Sequence, residues 1–186
     1  MRIIKTDFKG LFIIEPKIFT DRRGYFFESY NQEGLRKNGI HFESLQDNES
    51  YSSENVIRGL HYQLNPMAQA KLIRVIKGKI RDVVLDMRKG SPSYGRWKAV
   101  DIDSESKKQL FIPRGFAHGF SVLSPEAIIL YKCDNYYSPE HERGVDLNDP
   151  ALGIDWGVQQ GKALISEKDR NTPPFSEAES NFEYML

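Results

Sequence analysis

Two stretches of this chain concentrate side chains able to move protons. Arg58-Gly59-Leu60-His61-Tyr62-Gln63, followed by Gln69-Ala70-Lys71-Leu72, sets a guanidinium, an imidazole and an ammonium within a short span. Imidazole has the unperturbed pKa nearest neutrality, the property of a base that must accept a proton and then release it. Lys71 stands among apolar neighbours, where a cation in a water-poor pocket could meet a developing negative charge. Taken alone, His61 would read as a satisfied core histidine and Lys71 as a solvated strand lysine. Farther on, His118 follows Pro113-Arg114-Gly115-Phe116-Ala117, and Tyr131 closes Ile128-Ile129-Leu130-Tyr131. In isolation such a tyrosine is plain core, yet its phenol can also give a proton. His61 and His118 have no carboxylate beside them in sequence, so together they make a weak metal site. Arginines fork best onto phosphate oxygens, so any phosphorylated ligand would be met by arginine side chains.

The elements around these residues are mainly strands. Short runs rich in β-branched and aromatic residues, bounded by Gly, Pro, Asn or Asp, predict strands over 11–15, 25–30, 72–76, 80–87, 96–102, 109–112, 119–123 and 128–133. Lys77-Gly78-Lys79 reads as a hairpin turn, with Gly supplying positive φ. Helix is confined to 32–37, capped by Asn38-Gly39, and a piece near the C-terminus. The expected architecture is all-β: a double sheet or jelly-roll with short peripheral helices, whose interior can hold a small ligand. The whole chain, 1–186, is expected to be one domain, with 166–186 an irregular segment over the surface that can still reach a site.

Composition excludes several function classes. With 26 basic and 26 acidic residues among 186, no net field draws the chain to nucleic acid or an anionic membrane. No run approaches the roughly 20 apolar residues of a membrane helix. The single Cys133 has no intramolecular disulfide partner and the N-terminus lacks the apolar run of a signal peptide, so the cytoplasm is the expected compartment.

The segment Phe111-Ile112-Pro113-Arg114-Gly115-Phe116-Ala117-His118-Gly119 resembles the second motif of the cupin jelly-rolls, which would point His118 into the barrel. Where metal-binding cupins carry the two His and Glu of their first motif, this chain has His61-Tyr62-Gln63, so the resemblance is to a metal-free cupin. Arg58-Gly59-Leu60-His61-Tyr62-Gln63 with Gln69-Ala70-Lys71-Leu72 then resembles the dTDP-4-dehydrorhamnose 3,5-epimerase family. In order, Asp21 to Tyr30, Gln46-Asp47-Asn48, Ile80-Arg81-Asp82-Val83-Val84-Leu85-Asp86, Pro113 to Phe120, Leu130-Tyr131-Lys132, Tyr136-Tyr137-Ser138-Pro139, Asn148-Asp149-Pro150 and Ser166-Glu167-Lys168-Asp169 agree with it. The likeness runs from about residue 10 to about 175. Lys79, Arg81, Leu147 and the Trp156-Gly157 pair depart from the family pattern, none at a position to which the family assigns chemistry.

The resemblance implies a cupin-type double-stranded β-helix that epimerises a 4-keto nucleotide sugar without any cofactor. It implies His61 as base, Asp169 as the group orienting it, Lys71 as the cation at the enolate oxygen and Tyr131 as the proton donor on the opposite face. It places His118 against the sugar, and Arg23 and Arg58 on the diphosphate. Phe26, Glu28, Gln46, Asp47, Asn48 and Tyr137 fall around the base and sugar, with Tyr137 stacking on thymine, and Glu142 and Lys168 make polar substrate contacts. The family forms homodimers, so Arg23, Phe26 and Glu28 could serve the neighbour's pocket. Three rivals share the scaffold: an epimerase acting on one carbon or on a related 4-keto-6-deoxy nucleotide sugar, a 3,4-ketoisomerase, and a non-catalytic sugar-binding cupin. Keeping both His61 and Tyr131 favours the double epimerase; the binder has no reason to keep His61, Lys71, Tyr131 and Asp169 together.

Overall fold

A computed structural model describes residues 1–159 and 161–184. In chain order the strands are β1 (Arg2–Lys5), β2 (Phe12–Glu15), β3 (Phe19–Asp21), β4 (Gly24–Phe26), β5 (Gln46–Ser53), β6 (Ile57–Gln63), β7 (Lys71–Lys77), β8 (Lys79–Asp86), β9 (Trp97–Asp103), β10 (Gln109–Ile112), β11 (Phe116–Val122), β12 (Glu126–Cys133) and β13 (Glu142–Gly144). One sheet runs β1-β2-β10-β7-β12-β5, the other β13-β6-β11-β8-β9, and β3 with β4 forms a separate ribbon. The two large sheets are antiparallel throughout and make a cupin-type β-fold.

Alternation along the strands divides the apolar residues into layers. Ile73, Val75, Leu110, Ile112 and Ile129 of the six-stranded sheet meet Ile80, Val84, Phe116 and Phe120 of the five-stranded one in a core between them. Each such side chain contributes about 1.5–3 kcal/mol on burial. Outside the five-stranded sheet, Val83 and Leu85 pack with Leu60, Trp156 and Phe182. Outside the six-stranded sheet, Ile14, Leu72 and Phe111 are covered by Leu35, Ile40 and Phe42. Leu35 belongs to helix α1 (Gln32–Lys37), which starts where the Asn31 side chain accepts from Gly34 N at 2.8 Å. It stops at Asn38, with Gly39 at φ +78°.

Several expectations need correction. Gly78 does take positive φ, +83°, but Lys77-Gly78-Lys79 closes no hairpin: β7 and β8 lie in different sheets, and the turn carries the chain across the core. A Cβ at Gly78 would stand 2.0 Å from Glu126 O, so the crossing is too tight for a side chain. The strand expected over 25–30 ends at Phe26 in the small ribbon, because Tyr30 turns back to pack edge-on against Phe42. Strands β1, β3, β5, β6 and β13 were not anticipated. The segment from 166 is less irregular than expected: it holds helix α2 (Glu167–Arg170) and a 3-10 turn (Phe175–Glu177), and it buries Asp169, Ser180 and Phe182.

Candidate active site

A cavity of about 400 Å³ opens between the sheets. Its floor depends on a bulge. Arg58 of β6 pairs with Phe120 of β11 and His61 with His118, so three steps on one strand match two on the other. An extra residue in one strand turns side chains of odd spacing to one face, which is how Arg58 and His61 both reach the cavity. The bulge requires glycine: Gly59 has φ +128°, and a Cβ there would lie 2.5 Å from Gly119 Cα. From the other sheet, Lys71 pairs with Cys133, and Ile73 with Tyr131, which pairs in turn with Asn48. Directly paired residues share a face, so Lys71, Tyr131, Cys133 and Asn48 line the cavity opposite His61 and His118.

The His61 ring nitrogen Nε2 lies 2.8 Å from Asp169 Oδ1, the other ring nitrogen has no hydrogen-bond partner among the described residues, and Asp169 Oδ2 accepts from Gly59 N at 3.2 Å. Asp169 is carried by α2, whose N-cap Ser166 accepts from Asp169 N at 3.1 Å. Burial works against the Asp169 charge, but the His61 contact and the Gly59 amide outweigh it and hold the carboxyl below its ordinary range. A second pair sits deeper: His118 Nε2 is 2.8 Å from Asp82 Oδ2, both residues being buried. Burial pushes the Asp82 carboxyl up, against the pull of His118 and Lys71. Burial likewise depresses the Lys71 ammonium, opposed by Cys133, Asp82 and Glu142. The Tyr131 phenol is raised by burial and shares a 3.0 Å hydrogen bond with Ser50 Oγ. It is therefore a protonated phenol facing the cavity from one sheet while an oriented imidazole faces it from the other.

Strand β5 supports this wall with its inward row. Gln46 Oε1 accepts from Tyr137 N at 2.9 Å, Asn48 lies beside Cys133, Ser50 meets Tyr131, and Ser52 Oγ accepts from Arg58 Nε at 3.0 Å. At the rim, Tyr137 donates to Glu142 at 2.6 Å and Lys168 pairs with the same oxygen at 2.6 Å. Burial opposes the Glu142 charge, and these two contacts hold its carboxyl below the usual value nonetheless.

Of the residues singled out from sequence, His61, Lys71, Tyr131, Asp169, Asn48, Arg58, His118, Tyr137, Glu142 and Lys168 line one cavity. Gln46 stands behind it and holds Tyr137. Asp47 faces away, paired with Lys132 at 2.7 Å. Arg23 and Phe26 lie on the exposed β3–β4 ribbon, Arg23 tied to Asp21, and Glu28 accepts from Asn31 Nδ2. This chain does not bring those three to its own cavity. Sequence reasoning gave no role to Asp82, Ser50, Ser52 and Gln63. Asp82 carried a signal, a lone carboxylate inside the apolar run Ile80–Leu85; the polar row of β5 carried none. Among the described residues no group of three His, Cys, Asp or Glu side chains is placed to hold a metal. The departures from family pattern lie elsewhere: Arg81 bridges Asp101 and Asp155, and Leu147 is buried, its carbonyl accepting from Trp156 Nε1.

Residues 5–177 match the sequence model of a family described as dTDP-4-dehydrorhamnose 3,5-epimerase. The enzyme of that name from Methanothermobacter thermautotrophicus is 48% identical over 177 residues, 95% of either chain. A crystal structure of the Legionella pneumophila dTDP-6-deoxy-D-glucose-3,5-epimerase in complex with dTDP-4-keto-L-rhamnose superposes with a TM-score of 0.94 at 41% identity, covering 100% of this chain and 99% of that one. A 3'-monoepimerase from Streptomyces bikiniensis, in complex with dTDP-quinovose, gives a TM-score of 0.86 at 34% identity over 92% of this chain and 86% of its own.

Proposed function

The chain belongs to the dTDP-4-dehydrorhamnose 3,5-epimerase family, and from that premise we propose that its cavity converts dTDP-4-dehydro-6-deoxy-D-glucose to dTDP-4-dehydro-L-rhamnose by inverting C3 and C5. The sugar's own ketone at C4 acidifies the protons on both neighbouring carbons, so the reaction asks of the protein a base, a stabiliser for the enolate oxygen and an acid, with no redox cofactor. His61 removes the proton from one face of the ring. Asp169 keeps the imidazole turned toward the sugar and favours the imidazolium that forms, the logic of a base with its orienter. Lys71 offers its ammonium to the enolate oxygen where little water competes. Tyr131 then returns a proton from the other face. The observation that carries this assignment is the placement of His61 and Tyr131 on opposite sheets, facing one cavity with Lys71 beside the tyrosine.

The nucleotide extends toward the rim, with Arg58 at the diphosphate, His118 at the sugar and Tyr137 stacked on thymine, a contact worth about 1–3 kcal/mol. Two chains pair, and each ribbon supplies Arg23, Phe26 and Glu28 to its neighbour. In support, Phe19, Tyr25 and Phe26 are 52%, 59% and 68% exposed on one chain, a cluster of aromatics that a soluble monomer rarely leaves uncovered. The enzyme works in the cytoplasm and feeds L-rhamnose into cell-surface polysaccharide.

The likeness to a 3'-monoepimerase keeps inversion at a single carbon as the second reading. Proton NMR of dTDP-4-keto-6-deoxyglucose with the enzyme in deuterium oxide decides between them. Double epimerisation exchanges the protons at C3 and C5, single epimerisation exchanges one of them, and a sugar-binding protein exchanges neither.

A further inference from the structure

Inverting two carbons poses a supply problem that one base and one acid do not solve. After the first inversion His61 holds an extra proton and Tyr131 has lost one, so the second requires both to be reset. Burial makes the phenolate costly, and it must be recharged quickly. Among the described residues the hydrogen-bond partner of the Tyr131 hydroxyl is Ser50 Oγ, at 3.0 Å. Ser50 lies on β5, the edge strand of the six-stranded sheet, in the row that lines the cavity, and it is partly exposed. A serine hydroxyl is donor and acceptor at once. It can hand its proton to the phenolate and take another from water on its open side.

Resting on the assignment of Tyr131 as donor, we infer that Ser50 recharges Tyr131 between the two inversions, a positioning residue that acts through the phenol. The step balances. Tyr131 gives its proton to the enolate carbon; the phenolate takes the Ser50 proton as that O–H bond breaks; the serine oxygen takes a proton from cavity water. The hydroxide left behind is neutralised by the proton that His61 removed from the sugar. No group outside the substrate, the protein and water takes part.

The test compares Ser50→Ala, Ser50→Thr and Tyr131→Phe with the wild type, following product, singly inverted sugar and the solvent deuterium isotope effect. Ser50→Ala is expected to lower kcat roughly tenfold, less than the ~100- to 10,000-fold of a direct general acid or base because it acts through the phenol, with KM within about twofold. Singly inverted sugar should accumulate and the isotope effect should grow. Ser50→Thr, which keeps the hydroxyl, should restore all three. Unchanged kcat in Ser50→Ala, a rise in KM alone, or an unaltered isotope effect without rescue by Thr overturns the inference. If Ser50→Ala does not fold, Ser50→Gly, which also removes the hydroxyl without adding bulk, must give the same pattern. Tyr131→Phe separates the two levels. Full product formation in that variant refutes Tyr131 as donor, whereas its inactivity beside a fully active Ser50→Ala refutes Ser50 alone.

Discussion

Replacing Asp169 by Asn changes little in volume and removes one charge from beside His61, the proposed base. In the wild type the two carboxylate oxygens divide their work, one 2.8 Å from His61 Nε2 and the other accepting from Gly59 N. Asn has a single acceptor oxygen, so it must give up one of these contacts or reverse the imidazole tautomer. The carboxylate already makes this bond charge-assisted, and it becomes a full ion pair only when His61 carries the sugar's proton, so most of its loss falls on the transition state rather than on binding. A hydrogen bond to a charged group contributes ~1.5–3 kcal/mol, and at ~1.4 kcal/mol per tenfold Asp169→Asn should lower kcat roughly 10- to 150-fold with KM nearly unchanged. The assay couples product to a reductase that forms dTDP-rhamnose. Stability gives a second readout with a definite sign. The folded carboxyl titrates below its ordinary value of 3.8, so its contribution is present above that pH and is lost as pH falls through the folded value. The stability gap between wild type and Asp169→Asn should therefore be full at pH 6 and shrink below about pH 4. A variant with kcat within twofold of wild type would refute the role given to Asp169.

Gly59→Ala places a Cβ 2.5 Å from Gly119 Cα at a φ of +128°, which nothing nearby can relieve. The strained backbone alone costs about 1–3 kcal/mol, so the melting temperature should fall by roughly 2–12 °C or more, read by thermal unfolding. Glu142→Gln removes the ion pair with Lys168 and loosens Tyr137, so KM for the dTDP-sugar should rise several-fold while kcat changes little, as steady-state kinetics would reveal. The proposed pairing through the β3–β4 ribbon requires that the wild type sediment as a dimer and that Phe26→Ser shift it to monomer and cost activity in the same fraction, as sedimentation velocity would show.

The strands that read cleanly from sequence are those with uniform surroundings. β8, β10 and β12 keep apolar side chains toward the core, and their runs of Ile, Val and Leu announce them. β6 carries His61 and was not anticipated, because Arg58 and Gly59 break its alternation at the bulge that turns both Arg58 and His61 to the cavity. β5 reads as loop because its inward residues Gln46, Asn48, Ser50 and Ser52 are polar, each spent on a residue of the cavity wall. Local pattern thus fails where a strand serves the site rather than the core. Sheet membership is equally illegible: Lys77-Gly78-Lys79 has the chemistry of a hairpin, and only the packing of the two layers makes it a crossing. The family pattern alone suggested the roles proposed for His61, Lys71, Tyr131 and Asp169, and the structure places the four around one cavity. Asp82 lay in plain view as a carboxylate in an apolar strand and acquires meaning only under His118.

Tyr131→Phe, followed by proton NMR in deuterium oxide, tests most directly the division between a base on one sheet and an acid on the other. The ring keeps its packing and loses the proton it would donate. His61 can still form the enolate and return a deuteron to the face from which the proton came, so solvent exchange should run well ahead of net product. If exchange and product fall together, Tyr131 takes part in deprotonation or in holding the substrate. If product forms at the wild-type rate, Tyr131 is not the acid, and the opposed arrangement of the two sheets does not explain the inversion.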